Sequence, residues 1–422
     1  MQRPAAPRRA AARPRGKSGM DPKRIQIIAA AAAGVVLVAF LGWNYVTAWR
    51  SVPVIVNGNE VQMRINSNVD ELLRANDYFD TKPGNLLSVS GNVLKEGGGE
   101  RCVVLLGVDA SAKTIEPTDF ASTQVNEGDT LTVSNGVDTT EAYTEESEAI
   151  APGVQMERGG AIQYVKQWGK NGKRSIWTGK ESGERVDKGV VEEPQDFIVG
   201  SANANPQGKK KYIALTFDDG PSKYTKDILK ILKKKGAKAT FYNLGVNAGS
   251  YPDLTKEILD ADCELASHTN THKNLPKLGT DDLRSEISVA FDTLETASGT
   301  RPQMIRAPYG EFSQSEWLRA GDLISCNVLW NIDTLDWQLP GADAITDRIL
   351  SKAFNGAIAL MHDGGGNREQ NVEALPGIID GLQDAGYELV TVSELMELDG
   401  SFPEDVVTGT VKMPEDAVMP SA

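Results

Sequence analysis

Histidine is scarce in this chain: three occur in 422 residues, His268, His272 and His362. Any imidazole chemistry must fall on those positions. Cysteine is as rare. Cys102, Cys263 and Cys326 are too few for a disulfide framework, and their spacing fits no metal motif, so they read as small buried apolar residues. Cations are short once the N-terminus is set aside. Residues 1–24 hold eight Lys/Arg and one acid, leaving 36 of the 44 Lys/Arg against 57 of the 58 Asp/Glu. A body so acidic excludes nucleic acid as the expected partner, because phosphate binding needs a net positive surface. The H-E-x-x-H signature of zinc proteases is missing too.

One long apolar run is present. Ile25 to Val46, IQIIAAAAAGVVLVAFLGWNYV, carries no charge and matches the roughly 20 residues that cross a bilayer core. Arginines precede it, and Trp43, Tyr45 and Trp49 cluster at its far end. The alternatives are a cleaved signal peptide or a buried helix, but Thr47-Ala48-Trp49 is a poor cleavage site. The expectation is a single-pass anchor over 25–49, with residues 1–24 a basic cytoplasmic tail and everything after Trp49 outside the cell membrane.

The exterior part divides by pattern. VPVIVNGNEVQMRI alternates around Asn57-Gly58, a hairpin signal, and Asn68 with Glu71 is placed to make a capping box on VDELLRAN. With the strand-like runs RCVVLLGV and EGDTLTVSNG, residues 50–149 resemble a β-grasp-like accessory module. Residues 150–205 are strand-sized runs punctuated by Gly169, Asn171-Gly172, Gly179 and Gly183, either a glycine-rich β module or an extended spacer. From 206 to 400 strands such as KYIALTFDD and KATFYNLG alternate with helices such as TKDILKILKKKG. About seven such units predict an α/β domain, a distorted TIM-like (β/α) barrel preceded by the membrane helix and small β-rich modules. Residues 401–422, with prolines and acids, read as a disordered tail.

All three histidines directly follow predicted strands, where such barrels place their active sites. Asp218-Asp219-Gly220-Pro221 also ends a strand. Two adjacent carboxylates point in different directions, so one can hold a metal while its neighbour acts as a base; an ordinary acidic turn is the plain alternative. His268 and His272, four apart, can share one ion if the segment makes a helical turn. Without an intervening glutamate the base must come from elsewhere, and Asp218 is available. Two histidines and an aspartate suit a divalent first-row metal, zinc first, with cobalt, nickel and manganese as alternatives.

TFDDGP, HTNTH, RAPYG, DTLDW and LMH follow one another in the order and spacing of the polysaccharide deacetylase family, the NodB homology domain, which the chain resembles over about residues 210–400. The resemblance implies that Asp219, His268 and His272 hold the metal. It implies that Asp218 is the general base, paired with Arg306, and that Tyr309 offers its backbone N–H to the oxyanion. His362 would be the general acid, tuned by Asp336. Leu360 would line the acetyl pocket, with Pro308 and Trp337 shaping the groove. The plain alternatives are a structural ion pair for Arg306 and Asp336 and a core aromatic for Trp337. Cys263 and the Gly310-Glu311 pair after Tyr309 depart from the family pattern without touching a ligand.

The activity so implied is hydrolysis of N-acetyl groups from N-acetylglucosamine in a cell-wall polysaccharide, peptidoglycan foremost. Chitin oligomers, an exopolysaccharide and O-acetylated xylan are alternative substrates. A non-catalytic wall-binding protein is the alternative of another class; it predicts loss of the base or the acid, and both are present.

Overall fold

The structure is a computed structural model that describes residues 21–421; most of the basic segment 1–24 lies outside the described residues. The chain divides into two compact units, Met1–Glu146 with Ile176–Asp187, and Ser147–Ser175 with Lys188–Ala422.

In the first unit, Pro22–Asn44 is one helix whose N-terminus is capped by Asp21, and it continues as a π turn over Tyr45–Trp49. The 28 residues to Trp49 are long and apolar enough to cross a membrane, a property shared with a signal sequence. Beyond it, Ser51–Val56 and Asn59–Arg64 form the predicted hairpin through Asn57 and Gly58, both at positive φ. The hairpin joins a five-stranded mixed sheet with Thr130–Asn135, Cys102–Leu106 and Lys113–Ile115. Val69–Ala75 is a helix closed by the Asn68/Glu71 capping box. Its Val69, Leu72 and Leu73 pack with Val52, Val54, Val104 and Leu131 in one core.

The second unit is built on parallel strands. Across the sheet they run Cys326–Val328, Met304–Ile305, Glu264–Ser267, Thr240–Asn243, Lys211–Asp218, Ala357–His362 and Ile332–Asp333. The two outermost strands are neighbours in sequence. Val328 to Ile332 spans at most about 14 Å of chain, whereas seven strands laid flat are about 29 Å wide. The sheet must therefore curl until its edges nearly meet, which gives an incomplete barrel. Alternation along Lys211–Asp218 sends Ile213, Leu215 and Phe217 outward beneath helices carrying Ile228, Leu232 and Ile378, while Ala214 packs with Tyr242, Ala266 and Ile358.

Two expected boundaries shift. Within 150–205, Ile162–Gln167 pairs antiparallel with Cys326–Val328, and Phe197–Ala202 and Val154–Met156 follow it outward. Much of this segment is thus neither a separate module nor a spacer; it covers an open edge of the barrel sheet, a position that otherwise leaves backbone groups unpaired. The supposed disordered tail is also ordered. Glu404–Thr408 is a helix, and Phe402, Val406, Val411 and Ala417 are buried, anchored by Val418 N–H donating to the Gly169 carbonyl at 2.8 Å. Four apolar anchors among prolines and acids give little periodicity to read. Each buried Val or Phe contributes about 1.5–3 kcal/mol, and 1 kcal/mol moves the midpoint of a unit this size by about 2–4 °C. Truncation after Gly400 is expected to lower the thermal midpoint of this unit by about 10 °C or more. An unchanged melting curve would show that the tail is not part of the core.

Candidate active site

The C-terminal ends of four strands supply the chemistry. Lys211–Asp218 ends in a buried Asp218; Asp219, the next residue, turns at φ 71. Glu264–Ser267 delivers His268, Met304–Ile305 delivers Arg306, and Ala357–His362 ends on His362 itself.

The pair of histidines converges without a helical turn. Thr269 and His272 both adopt left-handed backbone, at φ 68 and 60, and this loop brings His272 Nε2 to 3.5 Å and His268 Nε2 to 3.6 Å from Asp219 Oδ1. All three ligand atoms lie within 4.8 Å of one another. His268 Nδ1 is 2.7 Å from the Arg306 carbonyl; a carbonyl only accepts, so Nδ1 carries the proton and Nε2 presents a lone pair to Asp219. Burial above all holds this imidazole neutral, its pKa lowered to about 3. Asp219 Oδ1 is buried and has no hydrogen-bond partner. The His268 lone pair thus faces a carboxylate oxygen with no proton between them, an arrangement that a cation relieves. Ligands about 2.1 Å from a tetrahedral ion stand about 3.4 Å apart, so the observed spacing fits a divalent metal. The backbone behind is equally close: a Cβ on Gly365 (φ 70) would fall 2.3 Å from Asp219 Oδ2.

Beside this cluster, Asp218 Oδ1 accepts from the Arg306 guanidinium at 2.7 Å. Burial raises the Asp218 pKa, and the Arg306 charge opposes that rise. Arg306 is wholly buried. It also donates to Thr216 Oγ1 and to the Val328 and Leu329 carbonyls, and it lies 4.1 Å over the Tyr242 ring. On the other side, His362 Nδ1 meets Asp336 Oδ1 at 2.7 Å, while Asp336 Oδ2 accepts from the His362 backbone N–H and from Asn371. Burial would depress His362; its hydrogen bond with Asp336 and that residue's charge overcome this and raise its pKa. Arg306 and Asp336 therefore do not pair with each other.

A cavity of about 480 Å³ joins these groups. Asp218, Asp219, His268, His272, Tyr309, Trp337, Leu360 and His362 all line it. Trp337 is half exposed rather than a core aromatic, and Tyr309 (φ 62) is exposed with its ring edge-on to His272. Pro308 is buried and does not line the cavity. Trp330, Asp333 and Arg368 line it without having been read as site residues from the sequence. Asp363 was also passed over: burial first, then the Asp219 and Asp218 charges, raise its pKa to about 7. The only hint of Arg368 and Asp363 was the glycine-rich D-G-G-G-N-R directly after His362. A larger hollow, about 730 Å³, near Tyr212, Lys238 and Tyr387 holds no potential metal cluster among the described residues.

The polysaccharide deacetylase family model matches residues 205–323. A peptidoglycan-N-acetylglucosamine deacetylase of Bacillus cereus is 37% identical over 190 residues, covering 44% of this chain and 69% of its own length. The chain belongs to the polysaccharide deacetylase family. Like other polysaccharide deacetylases it is a hydrolase of N-acetyl amide bonds. A bifunctional xylanase/deacetylase of Pseudobutyrivibrio xylanivorans is 34% identical, covering 48% of this chain but only 33% of that protein. Among solved structures, the peptidoglycan deacetylase PdaC of Bacillus subtilis is 35% identical, covering 46% of this chain and 93% of its own, with a TM-score of 0.43.

The candidate cluster carries its own test in this deacetylase: losing a true ligand is severe, since even an outer partner of a metal ligand is worth about 10–100-fold in affinity. Asp219→Ala is expected to weaken zinc binding by about 100-fold or more in a chelator-competition titration. Unchanged affinity would remove Asp219 from the ligand set.

Proposed function

We propose that the chain removes N-acetyl groups from N-acetylglucosamine residues of peptidoglycan, using a metal held by Asp219, His268 and His272. The observation that carries this reading is that a carboxylate and an imidazole flank the ligand cluster within one cavity. A divalent cation there, zinc first and cobalt, nickel or manganese otherwise, supplies Lewis acidity toward the acetyl carbonyl and toward water. Asp218 takes the proton of the attacking water, oriented by Arg306, whose other donors are fixed on Thr216 and two backbone carbonyls. His362 Nδ1 is committed to Asp336, so Nε2 carries the proton delivered to the departing sugar nitrogen. Tyr309 offers its backbone N–H to the developing oxyanion. Leu360 walls the acetyl methyl, and Trp337 with the Tyr309 ring gives the sugar exposed aromatic faces. Pro308 contributes from behind the groove as a fixed turn.

Peptidoglycan is favoured by the match to a wall deacetylase and by the apolar N-terminal helix with arginines before it. The helix is proposed as a single-pass anchor, with a cytoplasmic N-terminus and the catalytic unit on the outer face; residues 50–149 form a β-grasp-like accessory module. The similarity to a xylanase/deacetylase makes acetylated xylan the second reading. The discriminating experiment gives the metal-restored ectodomain, from Ser51, three substrates: peptidoglycan glycans, chitin oligomers and acetylated xylan. Loss of single acetyl masses from wall N-acetylglucosamine is expected. Loss from xylan or chitin alone would overturn the wall assignment, and loss from none would favour a non-catalytic wall-binding role.

A further inference from the structure

We propose that Glu286 is the positioning residue for the metal loop, an inference that rests on Asp219, His268 and His272 holding the ion. The loop between the two histidine ligands is costly to form. Thr269 and His272 occupy left-handed backbone, at φ 68 and 60, a region that β-branched and bulky residues avoid. Such conformations persist only where the surroundings over-determine them.

Thr269 is held by its N–H, which donates to Ser267 Oγ, and by its carbonyl, which accepts from the Gly245 N–H. For the two residues that lead into His272, one helical residue supplies the main restraint. Glu286 is 5% exposed and sits on Thr280–Ser298, a helix anchored by buried Leu283, Ile287, Ala290, Phe291 and Leu294. Its carboxylate accepts from the Thr271 backbone N–H at 2.9 Å and from Thr271 Oγ1 at 2.6 Å. Its own backbone carbonyl accepts from the Asn270 N–H at 3.0 Å. Both residues at the centre of the loop are therefore tied to one point on a rigid helix. Lys273 Nζ, 3.4 Å away, is an exposed counter-charge. A buried carboxylate needs such donors to be tolerated, and these donors belong to the residue immediately before His272. Glu286 thus fixes where His272 Nε2 points without touching the ion or the substrate, as outer partners of metal ligands do.

The test measures zinc affinity of the apo ectodomain by competition with a chromophoric chelator, alongside the melting temperature of the apo protein. Glu286→Ala is expected to weaken zinc binding by about 10–100-fold. Glu286→Gln, which still offers one acceptor oxygen, should recover part of that loss. Thr271→Val, which removes only the hydroxyl donor, should weaken binding several-fold and serves if Glu286→Ala fails to fold. Lys273→Ala should leave affinity unchanged. Wild-type zinc affinity in Glu286→Ala, or in Glu286→Gln and Thr271→Val together, overturns the positioning role. A wild-type chain that binds no zinc overturns instead the metal reading beneath it.

Discussion

Asp218→Asn is expected to lower kcat/KM by about 10³-fold while zinc still binds stoichiometrically. A positioned general base contributes about 10²–10⁴-fold, and an amide oxygen of the same shape cannot take a proton from water at neutral pH. The substitution leaves the rest of the site intact. Asn Oδ1 can still accept from the Arg306 guanidinium, which keeps its bonds to Thr216, Val328 and Leu329. Nor does Asp218 belong to the Asp219, His268 and His272 cluster. Neutralising Asp218 also leaves the wholly buried Arg306 charge without its carboxylate, so the melting temperature should fall together with the rate. Turnover within tenfold of wild type would assign the proton transfer elsewhere.

The second large effect concerns pH. The acid role proposed for His362 requires a protonated imidazole, and Asp336 is what raises its pKa against burial, with smaller help from the Asp218 and Asp219 charges. In the native enzyme the basic limb of the kcat/KM profile should therefore lie above the ordinary imidazole value of about 6.5. With Asp336→Asn the burial penalty is left largely unopposed, the imidazole loses its proton earlier, and the limb should move to lower pH. Activity near pH 8 should then drop by about 10²-fold, with a smaller loss near pH 6. Stability follows the same sign. A folded pKa raised above the unfolded one stabilises the native state fully below about 6.5 and loses that contribution as pH rises through the folded value. A basic limb that stays in place in Asp336→Asn would detach His362 from the acid role.

Much of this site was readable because its residues are so few. Of the three histidines, His268 and His362 stand at strand ends and His272 in the loop after the first, and Asp218-Asp219 sits in a run whose strand character is plain. The Asn57-Gly58 hairpin and the Asn68/Glu71 box were equally legible, since both are settled within a few residues of chain. What escaped depends on contacts distant in sequence. The reading that a helical turn brings His268 and His272 together fails because Thr269 and His272 take left-handed backbone, which the sequence between them does not announce. Trp330 and Asn371, the latter on the helix Glu369–Asp384, reach the site along a course set by the barrel, and no local pattern marks them; Arg368 has only the glycine-rich run before it as a hint. The edge strands within 150–205 and the packed tail were missed for a related reason. Their apolar residues are sparse, and they are buried only because an open sheet edge and a core surface are there to receive them.

The most direct test of the central claim is acetate release from peptidoglycan glycans by the ectodomain, before chelation, after it, and after zinc is restored. Release that stops on chelation and returns with zinc, in the wild type and not in Asp218→Asn, is the predicted result. Release that continues undiminished in the chelated protein would contradict a metal-dependent deacetylase built on Asp219, His268 and His272.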